Sequence, residues 1–349
     1  MQRRTRPRST VPRPVGRSRR RWPAVALLVG LVGALGITAP TALAAEAPAA
    51  TTSVAACPDG SQLRLKQGAR PVDPNDMTRA ESVRAEGTVA TRIAAAGLAG
   101  VRALPAFTVD VDTYVHVITR DDGSGGVTRQ QIDQQIAVLN AAFAGKTSGY
   151  SAATLFRFTV RAVDSTRNSD WYDWALPDEP GSDTDDAEAK AALHRGDKTD
   201  LNIYIAGLGD GLLGYSQYPW ATSTTLDGLV LLNDSLPGGS AAPYNLGDTA
   251  THEIGHWLGL AHTFENGCAA PGDGVPDTPY QFDGDNIFFC AESDDTCTAP
   301  GRDPVHNFMS YGDDPCLDRF TAGQSLRMGL VWYAFRGDAR ELRARLSKL

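Results

Sequence analysis

Nowhere in its 349 residues does this chain carry an apolar run of the roughly 20 residues that cross a bilayer. The longest such run spans only 24–37 and is interrupted by Gly30, Gly33 and Gly36, which excludes a stable membrane span. Cysteine is scarce, five residues with no C-x-x-C pair among them, so a structural zinc module is not expected. Histidine, at six residues, is nearly as scarce. Acidic residues are absent from the first 45 positions, whereas nine arginines fall within the first 21. Beyond that head, 33 − 9 = 24 basic residues face 41 acidic ones, a balance of 24 − 41 = −17. A body so acidic is a poor candidate for binding a phosphate backbone, and no nucleic acid is expected. Internal repeats are missing too, which leaves out solenoids and propellers.

What is present at the start reads as an export signal. The basic head, the short apolar stretch and Thr41-Ala42-Leu43-Ala44 form the signature of a secretory signal over 1–45. A secreted, extracellular protein follows from that reading. In an oxidising setting the four cysteines of the last quarter, Cys268, Cys290, Cys297 and Cys316, read as disulfides, for which the sequence permits three pairings. Cys57 is left over.

Residues 46–105 read as a linker and pro-segment, with a helical stretch at 78–96 but too little apolar material for a core of their own. From 106 the pattern tightens. Val109, Val111, Val115 and Val117 suggest a strand, and Ile132, Ile136, Leu139 and Phe143 recur at helical spacing behind Thr128, an N-cap residue. Further strands are expected at 155–163, 201–205 and 229–232, and helices at 183–194, 246–260 and 324–346. Strands alternating with helices define an α/β fold with a mixed sheet over 106–262. Residues 263–349, rich in Gly, Pro, Asp and Cys, are expected to form an irregular, disulfide-pinned C-terminal subdomain of the same 106–349 domain.

Three of the six histidines fall within eleven residues, in His252-Glu253-Ile254-Gly255-His256-Trp257-Leu258-Gly259-Leu260-Ala261-His262. His252 and His256, four apart on a helix, share one face and can reach one ion. Glu253 projects beside that ion and is the expected proton acceptor. Gly259 stands where the helix must stop, since glycine tolerates the left-handed conformation of helix ends. The chain can then turn and bring His262 in from another direction. Three neutral imidazoles leave a fourth position open, the pattern of catalytic rather than structural Zn2+.

Met309, in Asn307-Phe308-Met309-Ser310-Tyr311, follows 47 residues after His262. With this element the sequence resembles the metzincin metallopeptidases, and more narrowly the pappalysin family. The narrower likeness also rests on Gly272-Asp273-Gly274-Val275-Pro276-Asp277-Thr278-Pro279, Val305-His306 and Phe320-Thr321-Ala322-Gly323-Gln324, ending with Arg327-Met328. It is close over about 200–336 and loose before. The resemblance implies a metzincin-like catalytic domain with Met309 as a hydrophobic floor beneath the metal. It also implies that the Tyr311 phenol serves the developing oxyanion, that the disulfides are Cys268–Cys297 and Cys290–Cys316, and that Ca2+ binds near Asp273, Asp277 and Thr278. His306 reads as structural support. For Cys57 three readings stand open: a thiolate that fills the metal's open position and keeps the enzyme latent, as in some related zymogens; a spare thiol; or a lipid anchor.

The expected function is that of a secreted zinc endopeptidase with polypeptide substrates and Glu253 as general base. The alternative is a non-catalytic zinc-containing binding or adhesion protein on the same fold, against which intact Glu253 and Tyr311 argue. Residues 228–233, just before the metal-site helix, are expected to form an exposed edge strand that pairs with substrate. Asp313 and Asp314 are expected near the pocket for the residue after the scissile bond, favouring Arg or Lys there. Pro315, however, stands where at least one Arg-selective relative has an acidic residue.

Overall fold

A computed structural model describes residues 64–67, 77–174, 185–209, 211–220 and 224–348. The expected signal over 1–45 and Cys57 lie outside the described residues. In chain order the elements are β1 (Arg64–Leu65), α1 (Arg79–Ala95), β2 (Val109–Thr119), α2 (Arg129–Phe143), β3 (Phe156–Arg167), α3 (Ser169–Tyr172) and β4 (Asp173–Trp174). There follow α4 (Asp185–Leu193), β5 (Leu201–Leu208), β6 (Leu212–Ser216), β7 (Leu229–Leu232), α5 (Asp248–Trp257), α6 (Ala322–Val331) and α7 (Ala339–Leu346). The helix starts obey local chemistry. Thr78, Thr128 and Thr321 each accept from the amide three residues on, and Glu81, Gln131 and Gln324 reach back to the cap amide.

The strands form one mixed sheet in the order β1-β6-β7-β5-β2-β3, with β4 beside β5. Strands β3, β2, β5 and β7 are parallel, whereas β6 runs antiparallel to β7 and β1 antiparallel to β6. Period-two patterning separates two faces. Ile203, Ile205, Leu229 and Leu231 meet Ile132, Leu139 and Phe143 of α2 and Ala250, Ile254 and Trp257 of α5 in the main core. Tyr204, Ala206 and Val230 point the other way, beneath Tyr172, Trp174 and Ala189. The main core continues past α5 into Phe308, Met309, Phe320, Met328 and Trp332, so the metal-site helix is packed between the sheet and the C-terminal half.

Two expectations fail. The segment at 228–233 is not an exposed edge: β7 lies between β5 and β6 and is buried at all four residues. Leu229-Val230-Leu231-Leu232 is apolar on both faces, which suits a central strand and not an edge. The strand at that margin is the two-residue β1, which lies along β6, Arg64 opposite Gly214 and Leu65 opposite Leu212. The single helix expected at 324–346 is two. After α6 the chain widens into a π turn over Trp332–Arg336, and Asp338 caps α7 afresh by accepting from the Arg340 amide. Arg336 stands at the break. Its guanidinium donates to both carboxylate oxygens of buried Asp227 and sits 3.9 Å above the Trp257 ring, which anchors the end of the π turn, and the next residue, Gly337, is extended at ψ −178°.

The stretch from 258 to 321 is irregular, apart from a 3-10 turn at Asp285–Phe288. It is pinned by Cys268–Cys297 and Cys290–Cys316, with Cα–Cα distances of 5.3 and 5.8 Å, the pairing that the resemblance implies. Helix α1 lies against α6 and the 332–336 turn.

Candidate active site

The metal-site helix is fixed at both ends by identifiable contacts. At its start Gly247 takes φ 105°, and the Asp314 carboxylate accepts from the amides of Leu246, Gly247 and Asp248 at 2.7, 3.0 and 3.4 Å. Asp314 is therefore a buried cap for α5, not a pocket carboxylate facing a basic substrate residue; that expectation fails for it. At the far end the Gly259 amide donates to the His256 carbonyl at 2.8 Å and the Leu260 amide to the Gly255 carbonyl at 2.9 Å, a Schellman closure. It needs a left-handed residue, and Gly259 supplies φ +91°. A Cβ at Gly259 would also lie 2.7 Å from Val331 Cγ1.

This closure aims the imidazoles. The Leu260 carbonyl accepts from His256 Nδ1 at 2.7 Å, and the Phe308 carbonyl from His252 Nδ1 at 2.7 Å. Each bond holds the proton on Nδ1 and turns the Nε2 lone pair inward. The Nε2 atoms of His252, His256 and His262 stand 3.0, 3.1 and 3.1 Å apart. Ligands about 2.0–2.1 Å from a tetrahedral zinc ion sit roughly 3.3–3.4 Å from one another, so the triangle fits such an ion with slight expansion. All three rings are buried. Burial pushes His256 down to about 4 and His262 well below the usual imidazole range, keeping both neutral, the state a metal requires.

The remaining sequence-derived residues gather around this triangle, with exceptions. Glu253 is fully buried on α5, beneath Gly214 of β6, where a Cβ would approach its Cγ to 3.3 Å. Ser216 Oγ of the same strand donates to the Glu253 carbonyl at 2.8 Å. Strand β6, next to the marginal β1, thus runs directly over the carboxylate-bearing turn. Met309 underlies α5: a Cβ at Gly255 would lie 2.3 Å from its Sδ, so the glycine between the two helical ligands makes room for the sulfur. Tyr311 is buried with its ring 4.8 Å from that of His262 and 5.9 Å from that of His252, among Phe264 and Phe288. His306 donates to the Cys316 carbonyl at 2.7 Å, the supporting role expected of it.

Asp273 and Thr278 are both buried, and burial pushes the Asp273 carboxyl up to about 7. Asp277 is exposed and committed elsewhere: it accepts from Thr321 Oγ1 and the Gly323 amide, both at 2.8 Å, at the start of α6. Sequence reasoning missed several supports. Phe264 stacks on His262 at 4.7 Å, Tyr218 sets its hydroxyl 3.4 Å from His256 Nδ1, and Asp314 fixes α5. Only Phe264, two residues past His262, had a positional signal.

Inward-aimed neutral imidazoles beside a buried carboxylate, on a helix floored by methionine, suit a metal ion that activates water. The fold and site define a metal-dependent peptidase of the metzincin type. The comparisons narrow this. A family model described as pregnancy-associated plasma protein-A matches residues 184–332. An extracellular metalloprotease of Colletotrichum graminicola is 43% identical over 239 residues, which cover 66% of this chain and 79% of that protein. One from Neurospora crassa is 40% identical over 241 residues, 66% of this chain and 78% of its own length. Among solved structures, Tannerella forsythia mature mirolysin in complex with a cleaved peptide matches at a TM-score of 0.54 and 26% identity, covering 70% of this chain and 99% of that one. The chain belongs to the pregnancy-associated plasma protein-A family of peptidases, the pappalysins.

Proposed function

We propose that the protein is a secreted zinc endopeptidase that hydrolyses extracellular polypeptides, with His252, His256 and His262 holding zinc. The carrying observation is the Nε2 triangle, each helical imidazole locked by a carbonyl on its other nitrogen. Zinc in such a site supplies Lewis-acid chemistry, polarising a carbonyl and letting water react near neutral pH. Glu253 takes the proton of the attacking water and passes it to the leaving amine. The Tyr311 phenol donates to the oxygen on which negative charge develops. Relatives named as extracellular metalloproteases support the location and the activity and do not favour the non-catalytic alternative.

An extended substrate is read as an added strand on β6, antiparallel to it, in the place β1 holds. Residues 46–105 contain the segment that must leave. Cys57 stands seven residues before Arg64, an extended reach of about 23 Å, so its thiolate is proposed as the ligand that blocks the metal before maturation. Purified, processed protein should cut a peptide library internally, as mapped by mass spectrometry. Cleavage should vanish with a zinc chelator and return with added zinc. Chelator-insensitive cleavage, or none, defeats the proposal.

For Ca2+ the proposal is confined to Asp273 with Thr278, two buried groups on one loop, without Asp277. The cation-free protein carries a testable signature. Folded Asp273 titrates near 7 and its unfolded counterpart near 3.9, so the unfolded chain loses that proton first. Stability therefore falls as pH rises from about 4 to about 7, by at most roughly 4 kcal/mol. Millimolar calcium should raise Tm above pH 7 and leave it unchanged below pH 5. Asp273→Asn should abolish both the slope and the calcium response. A Tm indifferent to calcium at about pH 8 removes the site.

A further inference from the structure

Helix α6 sends one side chain back to the turn between the second and third imidazoles. Arg327 Nε donates to the Gly259 carbonyl at 2.7 Å, and its side chain keeps 10% exposure. That carbonyl shares a peptide unit with the Leu260 amide, which closes α5 on Gly255, and the Leu260 carbonyl in turn holds His256 Nδ1. A guanidinium this deep needs a counter-charge. It comes from upstream of residue 106: Glu86 of α1 accepts from Nη1 through Oε2 at 2.9 Å and from Nη2 through Oε1, a two-point pair. Gly274 leaves the room, since a Cβ there would lie 2.7 Å from Glu86 Oε2 and 2.9 Å from Arg327 Nη1. Two further bonds fasten α1 to the C-terminal half. Ser82 Oγ accepts from Asn266 Nδ2 and the Ala270 carbonyl from Arg79, both at 3.0 Å.

We propose that Glu86 is a positioning residue for the metal centre, acting through Arg327 on the Gly259 turn, and that α1 therefore belongs to the working enzyme. The proposal rests on the zinc-peptidase reading above. It gives the two upstream elements opposite fates. β1 lies along the strand that a substrate needs, so it must depart; α1 carries the counter-charge of the metal-site turn, so it must stay. The maturation cut consequently falls between Leu65 and Thr78.

The test uses the full chain, matured, as wild type, Glu86→Gln and Ser82→Ala, the last removing a contact of the same helix that does not touch Arg327. Zinc affinity is read by competition with a chromophoric chelator, the Tm of the chelated protein by calorimetry, and the mature N-terminus by intact mass. Glu86→Gln is expected to weaken zinc binding about 10- to 100-fold, as loss of an outer-shell partner does, and Ser82→Ala less than about twofold. If Glu86→Gln does not accumulate, the pair E86Q/R327M removes both charges, keeps the helix docked and loses the Gly259 contact, so it should show the same loss. Unchanged zinc affinity in these variants, equal losses in Glu86→Gln and Ser82→Ala, or an active mature form starting beyond Glu86 overturns the proposal. Wild-type protein that holds no zinc defeats the underlying reading instead, which the wild-type arm alone reveals.

Discussion

Glu253→Gln is expected to leave a folded protein that still binds one zinc, with kcat/KM lowered roughly 10³- to 10⁴-fold, the upper part of what a positioned general base contributes. The substitution is nearly isosteric at a fully buried position, so packing beneath Gly214 should survive. The three ligands stay as they are, since His252 and His256 are oriented by the Phe308 and Leu260 carbonyls and not by residue 253. What disappears is the carboxylate proposed as the proton acceptor. A loss of that size corresponds to about 4 to 5.5 kcal/mol of barrier, which no change in substrate affinity on β6 can mimic if KM holds. Turnover of a fluorogenic peptide measured beside metal content is the check. Activity within tenfold of wild type, at equal zinc, removes Glu253 from the chemistry.

The spacing of the three imidazoles was legible because it is set within eleven residues, although the Phe308 carbonyl that turns His252 lies outside them. The i, i+4 spacing of His252 and His256 and the stop at Gly259 depend on covalent neighbours and on hydrogen bonds that close inside the segment. The strands β2, β5 and β7 and the capped helices α1 and α2 were legible for the same reason, through side-chain period and local caps. What failed depends on partners far along the chain. Whether Leu229–Leu232 sits at an edge or inside is decided by β6, a five-residue strand of weak pattern, and by the upstream β1. The helical path ends at Gly337, just past Arg336, whose partner Asp227 lies 109 residues earlier in the chain.

Asp313 and Asp314 show the same limit in the site itself. Adjacent aspartates after a Met-turn read as a substrate-facing acidic pair, yet Asp314 reaches back 66 to 68 residues to cap α5. Three amide donors at a helix start and a buried carboxylate satisfy each other, and nothing in the local sequence announces it. The consequence is functional. The loop carrying Met309, Tyr311 and Asp314 touches α5 at its middle and its start and the third imidazole beyond it, so one loop holds floor, phenol and helix together.

The third imidazole is where that shared framework can be probed most severely. His262→Ala should bind zinc roughly 10²- to 10³-fold more weakly: if about 10–16 kcal/mol of binding is shared among four ligands, one carries about 2.5–4 kcal/mol. Saturating zinc should not restore turnover, because two helical imidazoles alone leave the ion unconstrained relative to Glu253 and Tyr311. The fold should persist. His262 leaves a cavity beside Phe264 and Tyr311, but the Gly259 closure and the Leu260–His256 bond lie upstream of the change. Zinc affinity by chelator competition, near-ultraviolet dichroism and kcat at excess zinc separate these effects. Wild-type turnover at excess zinc in a folded His262→Ala protein would mean that the ion is held by two imidazoles, and the convergent triangle would then be incidental to catalysis.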